Sequence, residues 1–186
     1  MKVSVVIPFY NEKNRLPQTI QKVLDYFKGQ EYELILVDDG SLDNTQESIQ
    51  NYLNNEHVKL YIHDENKGKG AAIQTGIAYA RGQYILFTDA DMSTPIEEFE
   101  KLYNEIINGH DIAIGSRALK SSSIKKYQPS YRQKIGKAGN ILIRLILGLP
   151  FKDTQCGFKL FKSNTCKKRK IYARLSIAIR SGNGKW

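Results

Sequence analysis

Cysteine is nearly missing from this chain of 186 residues: there are two, Cys156 and Cys166. Two cysteines give no disulfide framework and no metal-finger spacing, so a reducing compartment is expected. Histidine is also scarce, at three: His57, His63 and His110. None belongs to a Ser-His-Asp pattern, and a structural role is expected for each. Long apolar runs are lacking. The best stretch, Ile141 to Phe151, carries Arg144 and falls short of the ~20 apolar residues of a membrane span. The run Val3 to Ile7 is too short for a signal peptide and is cut by Pro8. Glycine-rich nucleotide loops are absent too: Gly68-Lys69-Gly70 is too short for a Walker or dinucleotide cradle, so ATPase and dinucleotide readings lose ground. Acidic residues all but stop after residue 115. The first 115 residues hold 10 Lys and Arg against 18 Asp and Glu; the rest hold 18 against a single acid, Asp153. Such a split implies an anionic partner for the C-terminal third: phosphates, anionic lipid or nucleic acid. The acidic N-terminal portion argues against nucleic acid.

What is present is an alternation. Apolar, β-branched runs at Lys2 to Ile7, Glu33 to Val37, Val58 to Ile62, Tyr84 to Thr88 and Asp111 to Gly115 predict strands. Between them, helical spacing predicts helices over Asn14 to Phe27, Asp43 to Leu53, Ala71 to Ala80 and Pro95 to Ile107. Alternation of this kind predicts a doubly wound α/β domain with a mostly parallel sheet flanked by helices. Further on, Lys120 to Ser130 reads as a loop and Tyr131 to Leu147 as a basic amphipathic helix. That helix suits either a membrane interface or packing on the sheet. Thr154 to Phe161 reads as one more strand. Residues 1–162 are thus expected as the domain, and 163–186 as a basic, weakly patterned tail with poor order.

Three acidic clusters fall at predicted strand ends: Glu12, Asp38-Asp39 and Asp89-Ala90-Asp91. Ligands of parallel sheets sit beyond the carboxyl ends of the strands, so these clusters are expected to share one pocket. Two hard carboxylates one residue apart suit Mg²⁺ or Mn²⁺, which keeps positions for water and substrate phosphates. A plain acidic turn is the alternative for that triplet alone.

Taken in order, Val5-Val6-Ile7-Pro8-Phe9-Tyr10-Asn11-Glu12, Val37-Asp38-Asp39-Gly40-Ser41, Asn66-Lys67-Gly68-Lys69-Gly70 and Asp89-Ala90-Asp91 resemble the inverting family 2 glycosyltransferases of the GT-A (Rossmann-like nucleotide-diphospho-sugar transferase) fold. Gly115-Ser116-Arg117 and Asp153-Thr154-Gln155-Cys156-Gly157-Phe158-Lys159-Leu160-Phe161 narrow the resemblance to polyprenyl-phosphate sugar synthases, most closely the dolichyl-phosphate β-glucosyltransferases.

The resemblance implies a nucleotide sugar donor, UDP-glucose by closest similarity. Pro8, Tyr10 and Glu12 would line the nucleoside site, Asp38 or Asp39 would meet base or ribose, and Lys67, Lys69 and Gln155 would serve substrate binding. Asp89 and Asp91 would hold Mg²⁺ or Mn²⁺ against the diphosphate. Arg117 and Arg132 would pair with the phosphate of a polyprenyl acceptor, Arg being suited to bidentate phosphate contacts. A peripheral position on the cytoplasmic side of a membrane follows. Ser93 departs from the Gln that mannose synthases carry there, which weakens the GDP-mannose alternative. Residues 163–186 do not resemble the family's continuation. That predicts a truncated or frame-shifted end and keeps an inactive fragment as an alternative; a polysaccharide acceptor is a separate alternative, against which the Asp153 to Phe161 motif and the basic helix argue.

Overall fold

The computed structural model describes residues 2–116, 157–167 and 177–181. The elements run β1 (Lys2–Phe9), α1 (Leu16–Tyr26), β2 (Glu31–Asp38), α2 (Thr45–Ser48), β3 (Val58–Ile62), α3 (Lys69–Tyr79), β4 (Tyr84–Thr88), α4 (Phe99–Ile107), β5 (Ile112–Ser116), β6 (Phe158–Lys162), α5 (Ser163–Lys167) and β7 (Ile177–Ser181). The strands form one sheet in the order β3-β2-β1-β4-β6-β5-β7. The pairs β1–β2, β1–β4, β2–β3 and β5–β7 are parallel. β6 runs antiparallel to both its neighbours, β4 and β5.

The first strands are covered on both faces, which is why they read as continuous apolar runs. Along β1, Val3, Val5, Ile7 and Phe9 enter one core with Leu16, Ile20 and Val23 of α1 and Phe99, Leu102 and Ile106 of α4. Val6 faces the other way, with Ile35, Val37, Ala72 and Ile85. A Cβ added to Gly76 of α3 would overlap Val6, so the helix lies close on the sheet at that point. Fully buried Phe27 and Phe99 meet edge-on with ring centroids 5.2 Å apart. Burial of one such side chain contributes about 1.5–3 kcal/mol.

Two expected helices are shorter than their patterns. The segment expected as a helix over Asp43 to Leu53 is α2 followed by a 3₁₀ turn over Gln50–Asn54. Asn44 enters at φ 60°, and the Asn-rich sequence that follows favours the helix poorly. Pro95 precedes a 3₁₀ turn over Ile96–Glu98, so α4 starts at Phe99.

Of the last expected strand, Phe158–Lys162 forms β6, while Thr154 to Cys156 lie outside the described residues. The loop expected at Lys120 to Ser130 and the amphipathic helix at Tyr131 to Leu147 also lie outside them. Within 163–186, read from composition as a tail with poor order, Ser163–Lys167 is helical and Ile177–Ser181 pairs with β5. The β-branched Ile177 and Ile179 give that short segment its strand preference.

Candidate functional site

β1, β2 and β4 are parallel neighbours, so their carboxyl ends open on one edge of the sheet. A cleft of about 370 Å³ lies there, lined by Pro8, Phe9, Tyr10, Glu12, Asp39, Asn66, Lys69, Ala72, Asp89, Ala90 and Asp91. The structure therefore gathers seven of the sequence-expected residues: Pro8, Tyr10, Glu12, Asp39, Lys69, Asp89 and Asp91. The chemistry of this wall is carboxylate-rich with one lysine, a composition that suits a cation and an anion bound together.

The β1–α1 loop is laced to the β2–α2 loop. The Asn11 amide donates to Ser41 Oγ at 2.9 Å and the Leu42 amide to Asn11 Oδ1 at 2.8 Å. The Glu12 amide donates to Thr45 Oγ1 at 3.0 Å, and the Lys13 amide to Asp43 Oδ2 at 3.2 Å. Asp43 Oδ1 also accepts from the Thr45 hydroxyl. This lacing holds Tyr10 and Glu12 at the cleft although the loop itself is exposed. Arg15 pairs with Glu12: Nη2 donates to Oε1 at 3.1 Å, and Nε lies 2.6 Å from Oε2 without hydrogen-bond alignment.

Asp38 and Asp39, adjacent in sequence, part company. Asp38 is fully buried; its Oδ1 accepts from the Ser41 amide at 2.8 Å and its Oδ2 from Gln46 Nε2 at 2.7 Å. It shapes the turn and is not among the residues lining the cleft, so of the two candidates Asp39 is the one that lines it. Asp39 Oδ1 accepts from the Lys67 amide at 3.0 Å and lies 2.8 Å from His63 Nδ1. Burial pushes the Asp39 carboxyl up, but the His63 hydrogen bond and the Lys67 and Gly68 amides outweigh it and hold it below the usual range. Lys67 thus contributes its main chain; its ammonium is not part of the lining. Gly40 makes the turn possible: φ is +77°, and a Cβ there would lie 2.8 Å from the Glu65 carbonyl carbon.

Asp89 and Asp91 flank Ala90, whose carbonyl accepts from buried Thr19 Oγ1 at 2.7 Å. Helix α1 thereby anchors the turn that carries both carboxylates. Lys69 Nζ sits 2.6 Å from Asp89 Oδ1 and 5.5 Å from the Phe87 ring centroid. Asp91 Oδ1 accepts from the Ser93 amide and hydroxyl at 2.9 and 2.7 Å. Among the described residues no group of three or more Asp, Glu, His or Cys could enclose a metal. Two carboxylates at the open edge of a cleft fit an ion such as Mg²⁺ or Mn²⁺ that takes its other ligands from substrate phosphates and water.

Arg117, Arg132 and Gln155 lie outside the described residues. Sequence reasoning overlooked Thr19 and Thr75, which lie within α1 and α3 and carry no signal beyond a hydroxyl, and it expected only a structural role for His63, which stands just after β3. His57 instead stacks on Tyr32 at 4.7 Å, and His110 Nδ1 lies 3.2 Å from the Glu105 carbonyl oxygen.

Comparison with known proteins places this geometry. The chain is 38% identical over 178 residues to a dolichyl-phosphate beta-glucosyltransferase of Trichomonas vaginalis, covering 89% of this chain and 54% of that protein. It is 37% identical over 160 residues to a dolichol-phosphate mannosyltransferase of Pyrococcus furiosus, covering 85% and 45%. The chain thus spans about half the length of the curated relatives it matches. Glucosyl-3-phosphoglycerate synthase from Mycobacterium tuberculosis, solved with Mn²⁺, UDP-glucose and phosphoglyceric acid, superposes with a TM-score of 0.64 at 19% identity, over 88% of this chain and 57% of that one. That likeness shows the fold, which is GT-A. The Glycosyl transferase family 2 model matches residues 4–169. With its motifs gathered at the cleft and that match spanning most of its length, the chain belongs to glycosyl transferase family 2.

Proposed function

We propose that this chain carries the donor site of a metal-dependent, inverting hexosyltransferase that moves glucose from UDP-glucose to a polyprenyl phosphate such as dolichyl phosphate. The observation that carries the reading is the single cleft bringing Pro8, Tyr10, Glu12, Asp39, Lys69, Asp89 and Asp91 together. The names of the relatives support the sugar and the lipid; the mannosyltransferase of Pyrococcus furiosus supports GDP-mannose as the second reading.

Pro8, Tyr10 and Glu12 form the wall for the nucleoside, and Asp39 meets the base. Asp89 and Asp91 would hold Mg²⁺ or Mn²⁺, which supplies positive charge against the departing diphosphate. Lys69, now paired with Asp89, lies where it can turn to a phosphate oxygen. The acceptor phosphate is already anionic near neutral pH. Its oxygen attacks the anomeric carbon from the side opposite the diphosphate; the new C–O bond forms as the old one breaks, with no strong general base required. Arg117 and Arg132 pair with that phosphate and Gln155 serves substrate binding. The basic C-terminal third, with 18 Lys and Arg after residue 115, suits a peripheral position on the cytoplasmic face of an anionic membrane. Among the described residues no helix is long and apolar enough to cross a membrane.

The test is thermal stability with UDP, against GDP, each with and without Mn²⁺, for the natural chain and Asp91→Ala. A ligand that binds the native state raises the midpoint by mass action. A UDP shift that needs metal and disappears in Asp91→Ala is the expected result. A shift with GDP alone moves the reading to mannose. No shift with either, in a folded chain, overturns it.

A further inference from the structure

His63 stands at the end of β3, where its amide donates to the Asp38 carbonyl at 2.9 Å and so fixes its backbone beside β2. Its ring is clamped between two elements. Nδ1 lies 2.8 Å from Asp39 Oδ1 and Nε2 lies 2.9 Å from Thr75 Oγ1 on α3. The next residue, Gly76, is where α3 comes down on Val6, so Thr75 is held at a fixed distance from the sheet. Only 10% of the His63 side chain and 4% of the Asp39 side chain are exposed.

An ionised carboxylate only accepts, so Nδ1 must carry the proton. In the neutral ring Nε2 then accepts from the Thr75 hydroxyl. A carboxylate has about four acceptor directions. At Asp39 both His63 and the Lys67 amide meet Oδ1, while the Gly68 amide donates to Asn66 Oδ1 at 3.1 Å. Acceptor directions therefore remain at Asp39, which lines the cleft.

We infer that Thr75 and His63 form a positioning chain that fixes Asp39 as the acceptor for the ring N–H of the nucleobase, N3–H of uracil or N1–H of guanine, so that the cleft favours these bases over cytosine. The inference rests on the donor-site reading above. Uracil presents N3–H to the carboxylate, whereas cytosine presents a bare N3 and meets it with repulsion. His63 acts through Asp39 and does not touch the reacting atoms.

The experiment is calorimetric binding of UDP and CDP, each with Mn²⁺, and of Mn²⁺-pyrophosphate as a base-free probe. It compares the natural chain with His63→Leu, His63→Asn and His63→Gln. The natural chain is expected to prefer UDP over CDP by about tenfold or more, the scale of one hydrogen bond to a charged group. His63→Leu loses that preference and keeps pyrophosphate binding. The Asn amide can stand in for Nδ1 and the Gln amide only for Nε2, so His63→Asn restores the preference and His63→Gln does not. The latter pair decides the matter even where His63→Leu fails to fold. A UDP preference unchanged in His63→Leu or His63→Gln overturns the inference, as does parallel loss of UDP and pyrophosphate binding in all three variants. Absence of a UDP preference in a natural chain that does bind UDP overturns it as well. Failure of that chain to bind UDP, CDP or GDP at all overturns the donor-site reading itself.

Discussion

Gly157 stands directly against Asp89: a Cβ built on the glycine would overlap the carboxylate at Oδ2. The antiparallel register of β4 and β6, with Thr88 opposite Phe158, brings the two residues together. Gly157→Ala therefore does not strike the core; it pushes aside the far end of one side chain. The expected outcome is a folded protein whose thermal midpoint changes little. Its Mn²⁺-UDP affinity falls by about 10–100-fold, the usual effect of disturbing groups that orient a metal ligand. Calorimetry beside a melting curve checks both halves, and unchanged affinity would show that Asp89 takes its direction from elsewhere.

The Lys69–Asp89 pair is half-exposed, with side-chain exposures of 58% and 27%, so its net contribution to stability is about 0–1 kcal/mol. On the proposed donor-site reading, its effect is on binding. With nothing else bound, the ammonium competes with a divalent cation for Asp89 Oδ1. Lys69→Met is expected to tighten binding of Mn²⁺ alone and to weaken UDP in the presence of Mn²⁺, with the melting midpoint nearly unmoved. Titration of free Mn²⁺ by spin resonance and of UDP by calorimetry reads the two opposite signs; equal signs would contradict the assignment.

Thr19→Val keeps the shape of the side chain and removes the donor to the Ala90 carbonyl, leaving that buried oxygen without its hydroxyl partner. The expected loss is about 1–3 kcal/mol in chemical denaturation. Mn²⁺-UDP affinity falls with it, because the turn between Asp89 and Asp91 loses its tie to α1.

Away from the cleft, Glu33 joins four segments. Its Oε1 accepts from Ser4 Oγ and the Arg81 amide, both at 2.6 Å, and its Oε2 from Lys59 Nζ at 3.1 Å. Burial pushes its carboxyl up, yet the hydrogen bonds and the Lys59 charge outweigh that and bring it below the ordinary value. A carboxylate with a depressed pKa in the folded state contributes stability that is present above the unfolded value, about 4.3, and is lost as pH falls through the folded value. Glu33→Gln should therefore cost about 1–3 kcal/mol at neutral pH. The gap between variant and natural chain should narrow as pH falls below that of a free glutamate. Denaturant titrations at pH 7 and in the acid limb test this, and a constant gap would refute it.

Much of this was written locally. β-branched runs bounded by Pro8, Gly40 and Asp89 define strands that must be buried on both faces, and helical spacing from Leu16 to Phe27 defines the face of α1. Those periodicities follow from backbone geometry alone, so the sequence by itself determined the α/β class and the acidic character of the strand ends. It could not separate Asp38 from Asp39: the two carboxylates are chemically identical, and only the turn at Gly40 directs one inward to Ser41 and Gln46 and the other to the cleft. Nor does apolar periodicity encode strand direction, so the antiparallel course of β6, and with it the contact of Gly157 on Asp89, was decided by tertiary pairing. His63 carries the same lesson. Its imidazole is an unremarkable strand-end residue in the chain, and it gains meaning only because α3 brings Thr75 to one nitrogen and β2 brings Asp39 to the other.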